Sequence, residues 1–496
     1  MDFVQNFPCF SIVLSMFASI ISSALNGKHA KWLNTIVLFL ISMMSGILLI
    51  YLIGRGQSYV YMMGRFPAPW GNEIRAGVLE AGMAFFFCII MILSLFGGRS
   101  NLEAEVDPEK INLYYIMINL LLSSLLALVY TNDLFTAYVF VEINTISACG
   151  LIMIRQTGRT IEAATRYMIM SLLGSGLLLM GLCMLYDITG HLLMSNIKQS
   201  VVQIVAEGIY TVPLLVTIGI ISVGLAIKSA LYPFHTWLPD AYGYSTVSSA
   251  AILSSLVSKG YIFLLIKIFY RVIGFTIICN SRVINLLFVF GIAGMIMGSL
   301  SAIKENDIRR MIAFSSVAQI GYIYMGLGLG TELGVVASIY HILSHAATKS
   351  LLFIAAIGLT DVSGKHRQFS NLTGSGYRNI VAGFAFTIGS LSIVGIPVFS
   401  GFISKLLFSQ AAVQSNIKML PVLIALAIST ILNAIYFMKT VIRIYTPINT
   451  EYKSIKFGEC KIYGITLICF IILNIILGMY SQPIVDLIES GLNMFT

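Results

Sequence analysis

Fourteen apolar stretches separated by mostly short polar loops dominate this 496-residue sequence. They fall at approximately 8–25, 33–53, 76–97, 111–130, 133–154, 163–186, 211–232, 246–270, 283–302, 308–329, 333–358, 380–410, 419–440 and 461–480. A membrane-crossing helix takes about 20 predominantly apolar residues, so the chain reads as an all-α polytopic membrane protein of about fourteen transmembrane helices. Composition agrees: 58% of the residues are hydrophobic and 10% charged, where a soluble domain is about a quarter charged. Too few charges remain to solvate a soluble protein of this size, which excludes a cytosolic enzyme, a nucleic-acid binder and a disordered chain. The longest loops, 54–75, 98–110, 187–210, 359–379 and 441–460, are too short to form an independent soluble domain.

The net charge of +9 serves topology here. With an even number of spans both termini share one side. If that side is outward, the inner loops hold eighteen Lys and Arg residues and the outer loops seven, leaving five within spans. Cytoplasmic loops carry the cationic excess, so both termini are expected on the outer face of a bacterial or archaeal plasma membrane. The N-terminus lacks a basic segment before its first apolar run, and that run reads as a retained span, not a cleaved signal. None of the seven cysteines is in C-x-x-C spacing and most lie in apolar runs. Neither a metal site nor an iron–sulfur cluster is expected, and no cofactor motif is present.

Two spans contain proline at an informative place. Pro233 follows the seventh run, and Pro397 lies inside the twelfth, flanked by Gly395 and Gly401. Proline removes a backbone donor and clashes with the preceding turn, so both helices should be broken. Broken helices at membrane depth line polar cavities or are buried in protein. Spans four and nine begin about 172 residues apart, and the lysines beside the two breaks, Lys228 and Lys405, are 177 apart. This spacing suggests two five-helix repeats, spans 4–8 and 9–13. An odd number of helices makes such repeats inverted in the membrane. The expected divisions are 1–110 for three N-terminal helices, 111–270 and 271–445 for the repeats, and 446–496 for a C-terminal helix.

Charged residues inside spans carry the chemistry. They are Glu142, Lys228, Lys259, Lys267, Lys349 and Lys405. Each costs about 2.5–3.5 kcal/mol if left in lipid, so each should face the protein interior. Desolvation disfavours the charged form of a lysine, which suits such a group to proton exchange near neutral pH. Lys267, close to Arg271, reads instead as a lysine that snorkels to the interface. Glu80, near the start of its span and beside Arg75, reads as a rim or subunit-contact residue. His341, His345 and Lys349 follow one another at i, i+4 and i+8 and so share a helix face. Histidine titrates near neutrality and can relay protons; satisfied core histidines are the alternative. The helix has no HExxH, and two ring nitrogens from one helix cannot take opposite faces of a haem. His235, after Pro233, suits a structural role or a channel mouth. The glycines of 326–334 lie at a helix end and not after a strand, so they do not form a nucleotide loop.

Four segments together resemble a known family: LAIKSALYPFHTWLPDAY (225–242), SAIKENDIRRMIAFSSVAQIGY (301–322), YHILSHAATKSLLF (340–353) and SLSIVGIPVFSGFISKLLF (390–408). They are similar to the proton-translocating antiporter-like subunits of Mrp-type cation/proton antiporters, of complex I and of energy-converting hydrogenases. The similarity runs over roughly 110–445. It implies a fourteen-helix fold with two inverted repeats. It also implies proton-pathway roles for Glu142 in span five, Lys228 in span seven, Lys259 in span eight and Lys405 in span twelve. His341 and His345 match histidines found in span eleven of some branches. FPAPWG (66–71) resembles the Mrp D-type subunits, whereas HTWLPDA and the span-eleven histidines resemble the complex I and hydrogenase relatives.

The function so implied is a proton-translocating subunit of a multi-subunit membrane complex, moving protons through a buried Glu/Lys/His axis. Its driver is either a coupled cation gradient, with Na+ as the second ion, or a neighbouring redox enzyme such as an NADH dehydrogenase or hydrogenase. Its partners are then other membrane subunits and the lipid bilayer, and it carries no cofactor. The alternative is a stand-alone secondary transporter of a small solute, with the lysines as anion ligands.

Overall fold

The computed structural model describes residues 3–66, 71–415, 417–447 and 461–495. FPAPWG therefore lies largely outside the described residues, as does most of the 441–460 loop. Thirteen helices in the described residues are long and apolar enough to cross a membrane. They are α1 (Phe7–Ser23), α2 (Gly27–Arg55), α3 (Val78–Gly97), α4 (Ile111–Tyr130), α5 (Leu134–Met153), α6 (Gly158–Thr189), α7 (Thr211–Lys228), α8 (Val247–Ile273), α9 (Arg282–Lys304), α10 (Ile308–Gly328), α11 (Glu332–Asp361), α13 (Met419–Ile444) and α14 (Lys461–Met479). The remaining apolar run, α12, is split into Ile380–Val394 and Ser400–Val413. Its break contains Pro397. The seventh run stops at Lys228, five residues before Pro233, and the chain resumes helix at Leu238–Tyr244.

Helix position in the bundle follows composition. Every residue of α8 is buried, and α10 and α11 are buried over nearly their whole length. α8 carries Lys259 and α11 the paired histidines and Lys349, and with α10 they form the centre. The outer helices turn apolar side chains outward: Trp32, Ile36, Phe39, Met43, Ile47 and Ile50 of α2 are exposed. Lipid is as apolar as leucine, so helix association in a membrane rests on close packing and hydrogen bonds. Glycine provides the close approach between α9 and α10. A Cβ added at Gly291 would collide with the Met325 backbone nitrogen, and one at Gly321 would lie 2.6 Å from the Gly291 carbonyl oxygen.

Two expected loops contain structure. Tyr59–Met62 and Glu73–Ala76 pair as an antiparallel hairpin within 54–75, and Met194–Glu207 is a helix within 187–210 that buries Met194, Ile197, Val201 and Ile204. A second such helix, Ser481–Asn493, packs against α3. One face of the bundle gathers the helix Arg99–Glu105, the turn after α5, the α9–α10 turn and the 362–367 turn: Arg155, Arg309 and Arg367 all reach Glu105 across it.

Candidate functional site

Lys228 is the last residue of α7, and its ammonium is buried between helices rather than turned to lipid. It donates to Thr145 Oγ1 of α5 at 2.7 Å and lies 3.6 Å from Glu142 Oε1. Thr145 follows Glu142 by three residues, so a single face of α5 presents both groups. The Tyr261 ring of α8 lies 5.5 Å from the ammonium, and its hydroxyl donates to Asn144 Oδ1 at 3.0 Å. Oε1 of Glu142 is buried, yet 26% of the side chain is exposed. The carboxylate therefore stands at the edge of the bundle, one oxygen turned inward.

Lys259 is buried at the centre of α8, where it donates to the Ser254 carbonyl. That carbonyl belongs to a π-helical turn, Leu253–Val257. An i→i+5 turn disturbs the regular ladder, and such turns recur at functional sites. Lys349 of α11, also buried, donates to the Ile312 carbonyl at 2.9 Å and to Ser315 Oγ of α10. A bond of 2.8 Å between Ser255 and Ser350 joins α8 to α11 between these lysines.

The two histidines stand on the same α11 face, with ring centroids 6.0 Å apart and planes 16° from parallel. His341 Nδ1 bonds Ser404 Oγ of α12 at 2.5 Å, and Tyr322 of α10 stacks on His341 at 5.4 Å. Both ring nitrogens of His345 are buried without a hydrogen-bond partner among the described residues. Lys405, half-buried, donates to the Val394 carbonyl at 2.7 Å and to Thr430 Oγ1 at 2.8 Å, with its ammonium 5.9 Å from the Tyr322 ring. The break in α12 makes this possible. Gly395 ends the first half with φ +89°, a conformation that favours glycine, and a Cβ there would lie 2.9 Å from Lys405 Cδ.

The geometry thus brings His341, Tyr322 and Lys405 into one group and pairs Glu142 with Lys228. Among the described residues no direct hydrogen bond joins Lys228 to Lys259, or Lys259 to His345. Thr145, Tyr261, Ser254, Ser315, Tyr322, Ser404 and Thr430 were not legible as partners from the sequence. Only Thr145 carries a local signal, one turn from Glu142. His235 stacks on Tyr232 at 5.2 Å, beside Pro233.

Two expectations are corrected. Lys267 does not snorkel: it is buried and donates to the Leu128, Val129 and Thr131 carbonyls at the end of α4. Helix-terminal carbonyls lack intrahelical partners and carry partial negative charge, which suits a buried ammonium. Glu80 is no rim residue: it is fully buried and paired with Arg271.

The sequence model of the family described as NADH:quinone oxidoreductase/Mrp antiporter, transmembrane, matches residues 131–432. The chain is 31% identical over 394 residues to NADH-quinone oxidoreductase subunit N of Desulforudis audaxviator, covering 79% of this chain and 76% of that one. It is 26% identical over 433 residues to the D-type subunit of a Na(+)/H(+) antiporter of Alkalihalophilus pseudofirmus, covering 86% and 84%. Its fold matches a chain of the membrane-bound sulfane sulfur reductase, an archaeal respiratory membrane complex, with TM-score 0.87 at 24% identity over 99% of this chain and 97% of the other. The match to a chain of the Mrp complex from a Dietzia species has TM-score 0.86 at 22% identity, over 100% and 98%. These matches and the thirteen apolar helices define an integral membrane protein of the antiporter-like class. The chain belongs to the NADH:quinone oxidoreductase/Mrp antiporter family.

Proposed function

We propose that this chain translocates protons as one subunit of a multi-subunit membrane complex. The observation that carries this reading is a set of lysines withdrawn from lipid: Lys228, Lys259 and Lys349 are buried and Lys405 is half-buried, and each is held by a hydroxyl or a backbone carbonyl. Such groups are costly inside a membrane and mark proton or ion pathways. In this reading Glu142, Lys228, Lys259, His345, His341 and Lys405 form a polar axis across the bundle, with waters bridging its longer gaps. Lys349 joins the axis from α11, held by the Ile312 carbonyl and Ser315 of α10. A carboxylate beside Lys228 favours the ammonium; moving it away leaves a desolvated cation ready to release its proton. The end of α7 at Lys228 and the α12 break between Val394 and Ser400, whose Val394 carbonyl Lys405 bonds, supply the movable backbone.

The remaining features belong to the same proposal. Helices α4–α8 and α9–α13 form two inverted repeats, preceded by α1–α3 and followed by the C-terminal segment from 446. Both termini face outward from a bacterial or archaeal plasma membrane. Glu142 stands among the outward-facing Phe135, Val139 and Ile146 of α5. A carboxylate on such a stripe is costly against lipid, which supports a neighbouring membrane subunit covering it. The ions moved are H+ and, where a cation gradient is the driver, Na+. The relatives, an NADH-quinone oxidoreductase subunit and a Na(+)/H(+) antiporter subunit by name, support this class of assembly.

Proton uptake into liposomes tests the proposal, comparing the purified chain with the complex isolated from its native membrane. The complex should transport and the chain alone should not. Ion- or solute-driven transport by the chain alone would overturn the subunit reading in favour of a stand-alone transporter.

A further inference from the structure

On the Glu105 face a cavity of about 480 Å³ opens between the helix Arg99–Glu105, the turn after α5, the start of α10, and the end of α11 with the turn after it. Four cations line it, Arg155, Arg309, Lys365 and Arg367, against two carboxylates, Glu105 and Asp361. Glu105 is shared three ways: 3.4 Å from Arg155 Nε, 3.8 Å from Arg309 Nη2 and 3.8 Å from Arg367 Nη2. One nitrogen of each guanidinium is held by one of three successive carbonyls. Arg367 donates to Gly243 at 2.9 Å, Arg155 to Tyr244 at 2.9 Å and Arg309 to Ser245 at 3.3 Å. This fixes three forks around one space. Arg309 is 2% exposed, and its Nε has no hydrogen-bond partner among the described residues. An unpaired donor on a buried cation costs the desolvation of that group, so the described protein atoms leave the positive charge of Arg309 only partly compensated.

The charge that would complete it is anionic, carries several acceptor oxygens, and reaches the ends of membrane helices. Guanidinium forks match phosphate and carboxylate geometry; four cations against two carboxylates leave two positive charges in excess. We propose that this cavity binds a phosphoryl oxyanion, either the headgroup phosphate of an anionic phospholipid or a free phosphate ion. Basic pockets between membrane helices take phospholipid headgroups by the same chemistry. The inference does not rest on the proton-transport reading, since none of these residues lies on the proposed axis.

The test uses the full-length chain purified in a neutral detergent, with its unfolding temperature followed against phosphatidylglycerol, phosphatidylcholine and inorganic phosphate at constant ionic strength. Phosphatidylglycerol or phosphate should raise the unfolding temperature saturably, and phosphatidylcholine should not. A response to phosphatidylglycerol alone assigns the site to a lipid, and a response to inorganic phosphate alone assigns it to the free ion. Arg367→Gln and Lys365→Gln should each weaken the apparent Kd about tenfold or more, as loss of one charge-assisted bond implies. Native mass spectrometry of the parent protein should show a bound phosphate or anionic lipid, a readout that does not depend on the variants folding. If neither anion stabilises the parent more than chloride does, or if both variants respond as the parent, the proposal is wrong.

Discussion

Replacing Lys228 by arginine keeps the positive charge but fixes the proton, because a guanidinium stays protonated under all conditions a protein meets. The Glu142–Lys228 separation is 3.6 Å. At an effective dielectric near 20 the attraction is about 4–5 kcal/mol. At about 1.4 kcal/mol per decade, an interaction of that size is worth roughly three decades in any equilibrium that makes or breaks the pair. The partly exposed carboxylate is screened, which makes this an upper value. The swing is still large enough to turn a proton holder into a donor. The assay is proton uptake by the assembled complex in liposomes. Assembly is checked separately, because a Cβ on Gly174 would lie only 2.9 Å from Lys228 Cγ, so the lysine stem packs tightly on α6. Glu142→Ala, Lys228→Ala and Lys228→Arg should all assemble and lose coupled transport. Parent-rate transport by Lys228→Arg would refute the gating argument and leave the pair a static ion pair.

Other expectations concern stability. Glu80→Gln strands the buried Arg271 and should cost about 3–5 kcal/mol, read as a large drop in unfolding temperature; adding Arg271→Met should recover part of it. Gly291→Val drives a side chain into the Met325 backbone, so the yield of folded protein should fall sharply where Gly54→Ala, with open space around it, leaves it unchanged. Glu103 is held below its ordinary range by the hydrogen bond from Lys31, against the opposing effect of partial burial. Its folded pKa is depressed, so its contribution should be present above about pH 4.3 and lost as pH falls through the folded value. Lys31→Met should remove that part of the acid dependence, an effect under about 1 kcal/mol for so exposed a pair.

Helix existence was legible because a long apolar run has few alternatives in a membrane. The run at 133–154 became Leu134–Met153, and that at 419–440 became Met419–Ile444. The breaks were legible for the same local reason, since Pro233 and Pro397 cannot continue a helix. What the sequence hid depends on neighbours from other helices. Nothing around Lys267 tells whether its ammonium reaches the interface or the end of α4, and nothing around Glu80 points to Arg271, 191 residues away. The π-turn at Leu253–Val257 lies in a serine-containing run that reads as ordinary helix. The hairpin strands Tyr59–Met62 and Glu73–Ala76 are four residues each, too short to show an alternating pattern. Glu142 could be placed at mid-span, but its position at the edge of the bundle comes from how α5 packs.

If protons pass along the buried lysine–histidine axis, the loss of Lys259 must show it. This lysine is fully buried at the centre of α8 and donates to a carbonyl of its own helix. Methionine fills much of the same volume without a titratable group, and removes a buried cation in place of stranding one. Proton uptake should be measured in liposomes carrying the assembled complex with Lys259→Met, beside the parent complex at matched assembly. Uptake should fall about tenfold or more, the consequence of a barrier raised by about 1.4 kcal/mol or more. Uptake at the parent rate would contradict the axis, because a proton would then cross the membrane without the lysine at the middle of the path.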